Sequence, residues 1–543
     1  MSAVSGEERV MAASAGEFGA LVRVATDLLA QKDVAQAAVV TEIAALHGAY
    51  NHHGALISAP LEDALKTIGL QMAPGVKGTA PKRPAAPKHI LHVLTAAKDV
   101  GGDSRFVWRW IQRDSGHRYS VAVTRQRHFE IPAVLREAVA ASGGSIHHLD
   151  DAGADIRQRA TKLREAALGV DAVFLHVYVE DIIPSLAFAD TAGLPPIVFV
   201  MQADHQFLTG ISCSNLVLHM RDSGAVLSQK RRSVKPDRLT FLPIPLDPVT
   251  RTQSRQTAKK ALGLPEDAVL LLSIARAGKY AGSQPPSFAM AGVQLLQKYP
   301  HAHLIVLGPK EVGEWQTARE LTQGRLKALG ERSDTKTFYE AADIYLDSYP
   351  FSSNTSLLEA GGHGVPLVSL FGYSPDAAVL GAGTPALDRV LHVVHNADDY
   401  AATVGRLIES TADREEAGER TRQTIEHFHY GPGWQQHLED TFVRLATAET
   451  TPATGAPVEE RTTELDELLS RIFRGSAPIG VAIERRVREL PYFERLSLLR
   501  RLMAVDKSFG FGVFLPQPVE KILSPYLGGW RTHPLAKRLL ART

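Results

Sequence analysis

The feature that most constrains this chain is a rhythm that occurs twice: short apolar runs of strand length, separated by amphipathic stretches of helical length. In the first series Ile90–Leu94, Ser120–Val123, Ala172–Leu175 and Ile197–Met201 read as strands, with helix-like Pro132–Ser142 and Ile156–Leu168 between them. The second series starts near Leu270 with LLLSIA and continues through HLIVLG from His303, DIYLDS from Asp343 and PLVSLFG from Pro366. Strands alternating with helices predict parallel βαβ units. The chain is therefore expected to be an α/β protein with two Rossmann-like doubly wound domains, 89–248 and 249–446, facing a cleft. Its 543 residues exceed the roughly 250–300 that one core supports, which agrees with two domains. Ligands of such sheets bind beyond the carboxyl ends of the strands, so the chemistry is sought in the loops that end them.

Both flanks read as helical. Residues 1–72 carry apolar side chains at three- and four-residue spacing (Leu21, Val24, Leu28; Val39, Ile43, Leu46; Leu61, Leu65, Ile68), which predicts a small helical module docked on its own chain or a partner. Residues 73–88, APGVKGTAPKRPAAPK, form a linker, as do 447–457, TAETTPATGAP. After the second linker, 458–543 reads as a helical appendage.

Composition removes several functions. Lys+Arg 60 against Asp+Glu 59 leaves a net charge of +1, which provides no field for nucleic acid or an anionic membrane. The one cysteine, Cys213, allows neither an intramolecular disulfide nor a Cys-based zinc site and reads as a small buried hydrophobe. The N-terminus lacks the apolar core of a signal peptide and no stretch of ~18 apolar residues occurs, so no membrane span and a cytoplasmic location are expected.

The most informative run is ADIYLDSYPFSSNTSLLEAGGHGVPLVSLFG from Ala342. A strand feeds a loop of Ser, Asn and Pro, and Asn354, Thr355 and Ser356 then precede an apolar helical segment. Free amides and the helix dipole gather at such a start, and hydroxyl and amide side chains add donors, so a diphosphate fits there. Glu359, one turn in, could accept hydrogen bonds from ribose hydroxyls. The same residues also read as an ordinary helix start, with Asn354 or Ser356 as cap and Glu359 as a first-turn acid, and the residues leave both readings open. Gly361, Gly362 and Gly364 read as a turn before the next strand. In SIARAGKY, Arg276 and Lys279 lie just past a buried strand, where fixed cations would stabilise a departing diphosphate without a metal. In the first domain, Gly101 and Gly102 open the helix after HILHVLT and let backbone approach a phosphate or sugar. Asp204 and His205 end the strand PPIVFVMQ, where the imidazole could be a general base tuned by the carboxylate; His176 is a weaker rival.

The Ala342 run resembles the donor-binding segment of GT-B glycosyltransferases of the O-GlcNAc transferase-like and bacterial group 1 kinds, and is more similar to the O-GlcNAc transferase branch than to the large retaining branch. The retaining branch spaces two glutamates eight residues apart, whereas this chain has Phe351 where the first would stand. The resemblance implies that Asn354, Thr355 and Ser356 hold the donor phosphates, Glu359 the ribose and Lys279 the leaving diphosphate. It also implies that GRLKALG, ending at Gly330, receives the nucleotide base, although a plain strand and turn reads identically. Asn354 and Glu359 differ from that family's His-Thr-Thr before an aspartate. The segment HFHYGPGWQQHLEDTFVRL resembles the helix with which GT-B chains cross back to their first domain, and Trp434 in it also reads as a core aromatic. The implied activity is sugar transfer from a nucleoside diphosphate sugar, with UDP the expected nucleotide, to a protein or glycan acceptor, without cofactor or metal. The rival readings are a nucleotide-sugar epimerase or hydrolase on the same fold and an inactive GT-B subunit that scaffolds a glycosylation complex. Oligomeric state is not implied.

Overall fold

In the computed structural model, which describes residues 6–72, 87–99, 101–127, 129–151, 155–281, 286–374, 377, 383–449, 451, 463–473 and 479–506, the two apolar series become two parallel sheets. The first contains β1 (His89–Leu94), β2 (Arg118–Val123), β3 (Ile146–His148), β4 (Ala172–His176), β5 (Ile197–Val200), β6 (Leu216–His219) and β7 (Leu239–Phe241) in the order β3-β2-β1-β4-β5-β6-β7. The second contains β8 (Val269–Ile274), β9 (Ala302–Leu307), β10 (Leu326–Ala328), β11 (Ile344–Leu346), β12 (Leu367–Leu370) and β13 (Leu391–Val394) in the order β10-β9-β8-β11-β12-β13. Both sheets are covered on both faces. Along β1, Leu91 and Val93 enter one core while Ile90 and Leu94 enter the other, the two-residue alternation of a central strand.

The strand order reverses between β1 and β4 in the first sheet and between β8 and β11 in the second. A crevice opens outside the carboxyl ends at each reversal, because the flanking connections leave to opposite sides. Gly101 and Gly102 follow β1, Arg276 and Lys279 follow β8, and Asn354 follows β11. The topology thus brings these candidates of both domains to their switch points, while Asp204 and His205 follow β5 and Gly330 follows β10.

The flanking helices join the first domain. Helices Gly6–Ala30, Val34–Tyr50 and Ala59–Met72 share one core with the outer face of the first sheet and with helices Ile479–Val487 and Tyr492–Val505. Helix Val34–Tyr50 is buried all round from Gln36 to Ala49, as a helix at the centre of a layer must be. Its one carboxylate, Glu42, is taken by Arg125 at 2.6 Å and Arg486 at 3.5 Å. Helix Pro432–Thr447 follows the second domain in sequence but packs on the first: Trp434, Leu438, Phe442 and Leu445 lie in the core of β1 and β2. Trp434 also donates from Nε1 to the carbonyl of Pro243 at 2.9 Å. The first linker lies outside the described residues at 73–86, and the second does so at 450 and 452–457. Among the described residues, no helix is long and apolar enough to cross a membrane.

Candidate functional site

The wall contributed by the second domain is shaped by one buried carboxylate. Asp347, just past β11, accepts hydrogen bonds from the Ser353 amide at 2.9 Å and the Ser369 hydroxyl at 3.1 Å, which folds loop 347–353 back so that helix Asn354–Gly362 starts at the cleft. Burial pushes the Asp347 carboxyl up, against those hydrogen bonds and the nearby Lys279 charge. Neither Asn354 nor Ser356 caps this helix. Ser353 stands at the cap position and makes no capping bond, and the amides of Asn354, Thr355 and Ser356 meet no acceptor among the described residues. The Asn354 side chain donates to Thr384 Oγ1 at 2.9 Å, while its buried Oδ1 has no hydrogen-bond partner among the described residues.

Lys279 stands on a short turn, Ala277–Tyr280, after β8. Its ammonium donates to the Ser352 carbonyl at 2.8 Å and lies 5.0 Å from the centre of the Phe351 ring. Burial lowers the amine to about 8, opposed by Asp347 and reinforced by Arg276 and Arg221. Arg276, exposed at the start of the same turn, acts through its charge on Asp103 and Tyr50 across the cleft.

In the first domain, Gly101 has φ of 149° and precedes helix Gly102–Arg113. A side chain there would be strained in conformation and would press on Asp103. A Cβ on Gly102 would lie 3.7 Å from Thr355 Oγ1. Two helix N-termini therefore approach each other across the cleft, each with partial positive charge from its dipole, although at the Gly102 helix the Asp103 carboxylate takes the amides of Asp103 and Ser104. Farther along the first helix, Arg109 reaches Glu359 Oε1 at 2.9 Å and Asp247 at 2.8 Å, and Arg105 reaches Glu359 Oε1 at 3.4 Å. Tyr339 donates to Glu359 Oε2 at 3.1 Å. Glu359 is thus a tie between the domains as well as a cleft carboxylate.

Asp204 and His205 form the remaining wall. Burial alone would raise the Asp204 carboxyl, but the Arg221 guanidinium grips both its oxygens, with Nε at 2.6 Å, and with His205 holds it well below the usual carboxylate range. His205 Nδ1 lies 3.5 Å from Asp204 Oδ1, and the ring meets Phe351 edge-on at 4.8 Å. Burial lowers the imidazole, opposed by Asp204 and helped by Arg221 and Lys279, so the neutral form that can accept a proton prevails at neutral pH. Lys279, Phe351 and His205 make a continuous line across the cleft. The rival His176 is buried at the end of β4, bonded to His92 at 2.8 Å and packed against Phe106 and Trp110, away from any free space. Cys213 is buried, with its thiol on the Gly210 carbonyl at 3.1 Å.

Gly330 adjoins the second wall through Gly308, on which a Cβ would lie 3.5 Å from Arg276 Cα. With φ of 72° Gly330 closes the turn between the ends of β9 and β10, giving its amide to Pro309 and receiving that of Gly308, both at 2.8 Å. Three cleft residues escaped the sequence reading. Arg105 and Arg109 carried a signal, since they are four apart and share a face of the helix opened by the glycine pair. Arg221 directly follows β6, where the strand-end rule would have pointed.

No protein-family model matches the chain, and no curated protein matches it in sequence. Solved structures match it in shape. A glycosyltransferase from Rickettsia africae superposes with a TM-score of 0.50 and 13% identity, covering 66% of this chain and 98% of that one. Anabaena HepE in complex with UDP does so with a TM-score of 0.50 and 15% identity, over 65% of this chain and 99% of that one. A Thermobaculum terrenum O-GlcNAc transferase mutant covers 80% of this chain and 82% of its own, at 15% identity and a TM-score of 0.47. With two parallel α/β domains meeting at their switch points, a helix that returns from the second to the first, and these structural neighbours, the chain has the GT-B glycosyltransferase fold.

Proposed function

We propose that this protein is a glycosyltransferase that moves a sugar from a nucleoside diphosphate sugar, with UDP the nucleotide, to a hydroxyl or amide acceptor. The observation that carries the reading is the convergence of two helix N-termini, Gly102 and Asn354, on a space flanked by Lys279 and Arg276. The amides of Asn354, Thr355 and Ser356 without acceptors, two helix dipoles and two cations are what a diphosphate needs, and negative charge grows on it as the sugar leaves, while the first amides of the Gly102 helix are taken by the Asp103 carboxylate. Cations in that position do for the leaving group what a metal does elsewhere, so the transfer is proposed to need neither metal nor cofactor. Asn354, Thr355 and Ser356 would bind the phosphates. Glu359 would share its carboxylate between ribose and the arginines that already hold it. His205, neutral and oriented by Asp204, would take the acceptor proton. The complex of UDP with HepE, which has the same fold, supports UDP as the first nucleotide to try.

Calorimetric titration with UDP, GDP and ADP tests this. Selective binding of one nucleotide, weakened by both Lys279→Ala and Glu359→Ala, is expected. Absence of binding to all three by folded protein would overturn the enzyme reading and favour a scaffold.

A further inference from the structure

The helix Glu464–Phe473, far downstream of both domains in sequence, lies beside the cleft. Leu465, Leu468 and Leu469 are buried in a cluster that contains Leu56 of the N-terminal module, Leu227 of the first domain and Ala377 of the second, with Phe351, Phe371 and Tyr373 of the second domain packed against it. Polar contacts repeat the pattern. Asp466, fully buried, accepts from His52 at 2.8 Å and from Arg231 at 2.9 Å, while Glu464 accepts from the Ser374 amide of the second domain at 3.0 Å. At the end of the helix, the Phe473 ring lies parallel to the His205 imidazole, 6.1 Å between centres and 3° between planes. Arg231, which holds this helix, is followed by Arg232, whose Nη2 donates to the carbonyls of Asp204 and Gln206, both at 2.7 Å, and so fixes the loop carrying His205.

We propose that helix Glu464–Phe473 is an intramolecular strap that ties the two domains together on the His205 side of the cleft and completes that wall with Phe473. A strap of this kind makes the closed arrangement a property of the chain itself. Closure of a two-domain cleft is ordinarily a hinge motion driven by ligand; here the apolar cluster and the Asp466 pair resist opening before any ligand arrives. The inference stands apart from sugar transfer, because it concerns the distance between domains and requires no substrate.

Spin labels on Arg157→Cys in the first domain and Gln316→Cys in the second, both exposed, report that distance in the full chain, and native Cys213 is buried. Two strap variants are measured. Asp466→Ala takes from Arg231 and His52 their shared carboxylate and destabilises the first domain as well, so the Leu469→Ala/Phe473→Ala double variant, which leaves the Asp466 pairs in place, decides the question once circular dichroism shows it folded. The expected result is a longer and broader distance distribution without nucleotide. A distribution identical to that of the unsubstituted strap would overturn the proposal.

Discussion

The two walls of the cleft differ in how their polar groups are satisfied. On the first-domain side the cleft charges are matched: Arg221 holds Asp204, and Arg109 is shared between Asp247 and Glu359. On the second-domain side backbone donors are left over: the helix at Asn354 starts without a cap bond, the amides of Asn354, Thr355 and Ser356 meet no acceptor among the described residues, and Lys279 gives its ammonium only to a carbonyl. A wall whose groups satisfy one another holds a shape, whereas a wall with unsatisfied donors is built to meet an anion. The first wall, apart from the start of its Gly102 helix, positions, and the second supplies the unpaired donors.

This contrast can be broken most forcefully at Arg221. Arg221→Met leaves the buried Asp204 carboxylate without its partner, which costs about 3–5 kcal/mol of stability and should lower the melting temperature by several degrees. The clamp depresses the folded-state carboxyl below its unfolded value near 4. Its contribution is therefore full at neutral pH and fades as the pH falls below about 4. A variant as stable as the parent at pH 7 would show that the first wall is not held by this pair.

On the second wall the effects fall on binding. Lys279→Ala should weaken UDP by about 10- to 100-fold, the worth of roughly 1.5–3 kcal/mol for a hydrogen bond to a charged group, with little change in melting temperature. Because burial lowers the Lys279 amine to about 8, UDP affinity should decline as pH rises from 7 to 9, a range in which an ordinary lysine near 10.4 would stay charged. Titrations at the two pH values check this, and an equal slope in Lys279→Ala would assign the loss to another group. The smallest expected effect is that of Asn354→Ala, a few-fold in UDP affinity, because its side-chain amide already donates to Thr384 and the substitution keeps the backbone amide; a larger effect than Lys279→Ala would invert the proposed order of phosphate ligands.

Much of this architecture was legible in the chain because it rests on local periodicity. β1, β2, β4, β5, β8, β9, β11 and β12 coincide with the apolar runs, and the glycine pair and the Asn354 segment sit at the switch points that alternating βαβ units require. β3, β6, β7 and β13, of three or four residues each, were not singled out, although β5, β11 and β12 are as short. What stayed hidden depends on pairing between distant residues. That Glu359 is held from the other domain by Arg105 and Arg109, that Asp204 belongs to Arg221 as well as to His205, and that Asp466 binds a histidine more than four hundred residues earlier are facts of tertiary packing with no local signature. Helix Pro432–Thr447 stands between the two cases: its apolar face reveals only burial, while the resemblance to GT-B chains implied the first domain as the one that receives it.

A crystal structure of the full chain with UDP tests the central claim most directly. The account predicts the diphosphate between the N-termini of helices Gly102–Arg113 and Asn354–Gly362, with an oxygen within hydrogen-bond distance of Lys279 Nζ and the ribose at Glu359. A diphosphate held elsewhere, with those amides and Lys279 making no contact to it, would contradict the account.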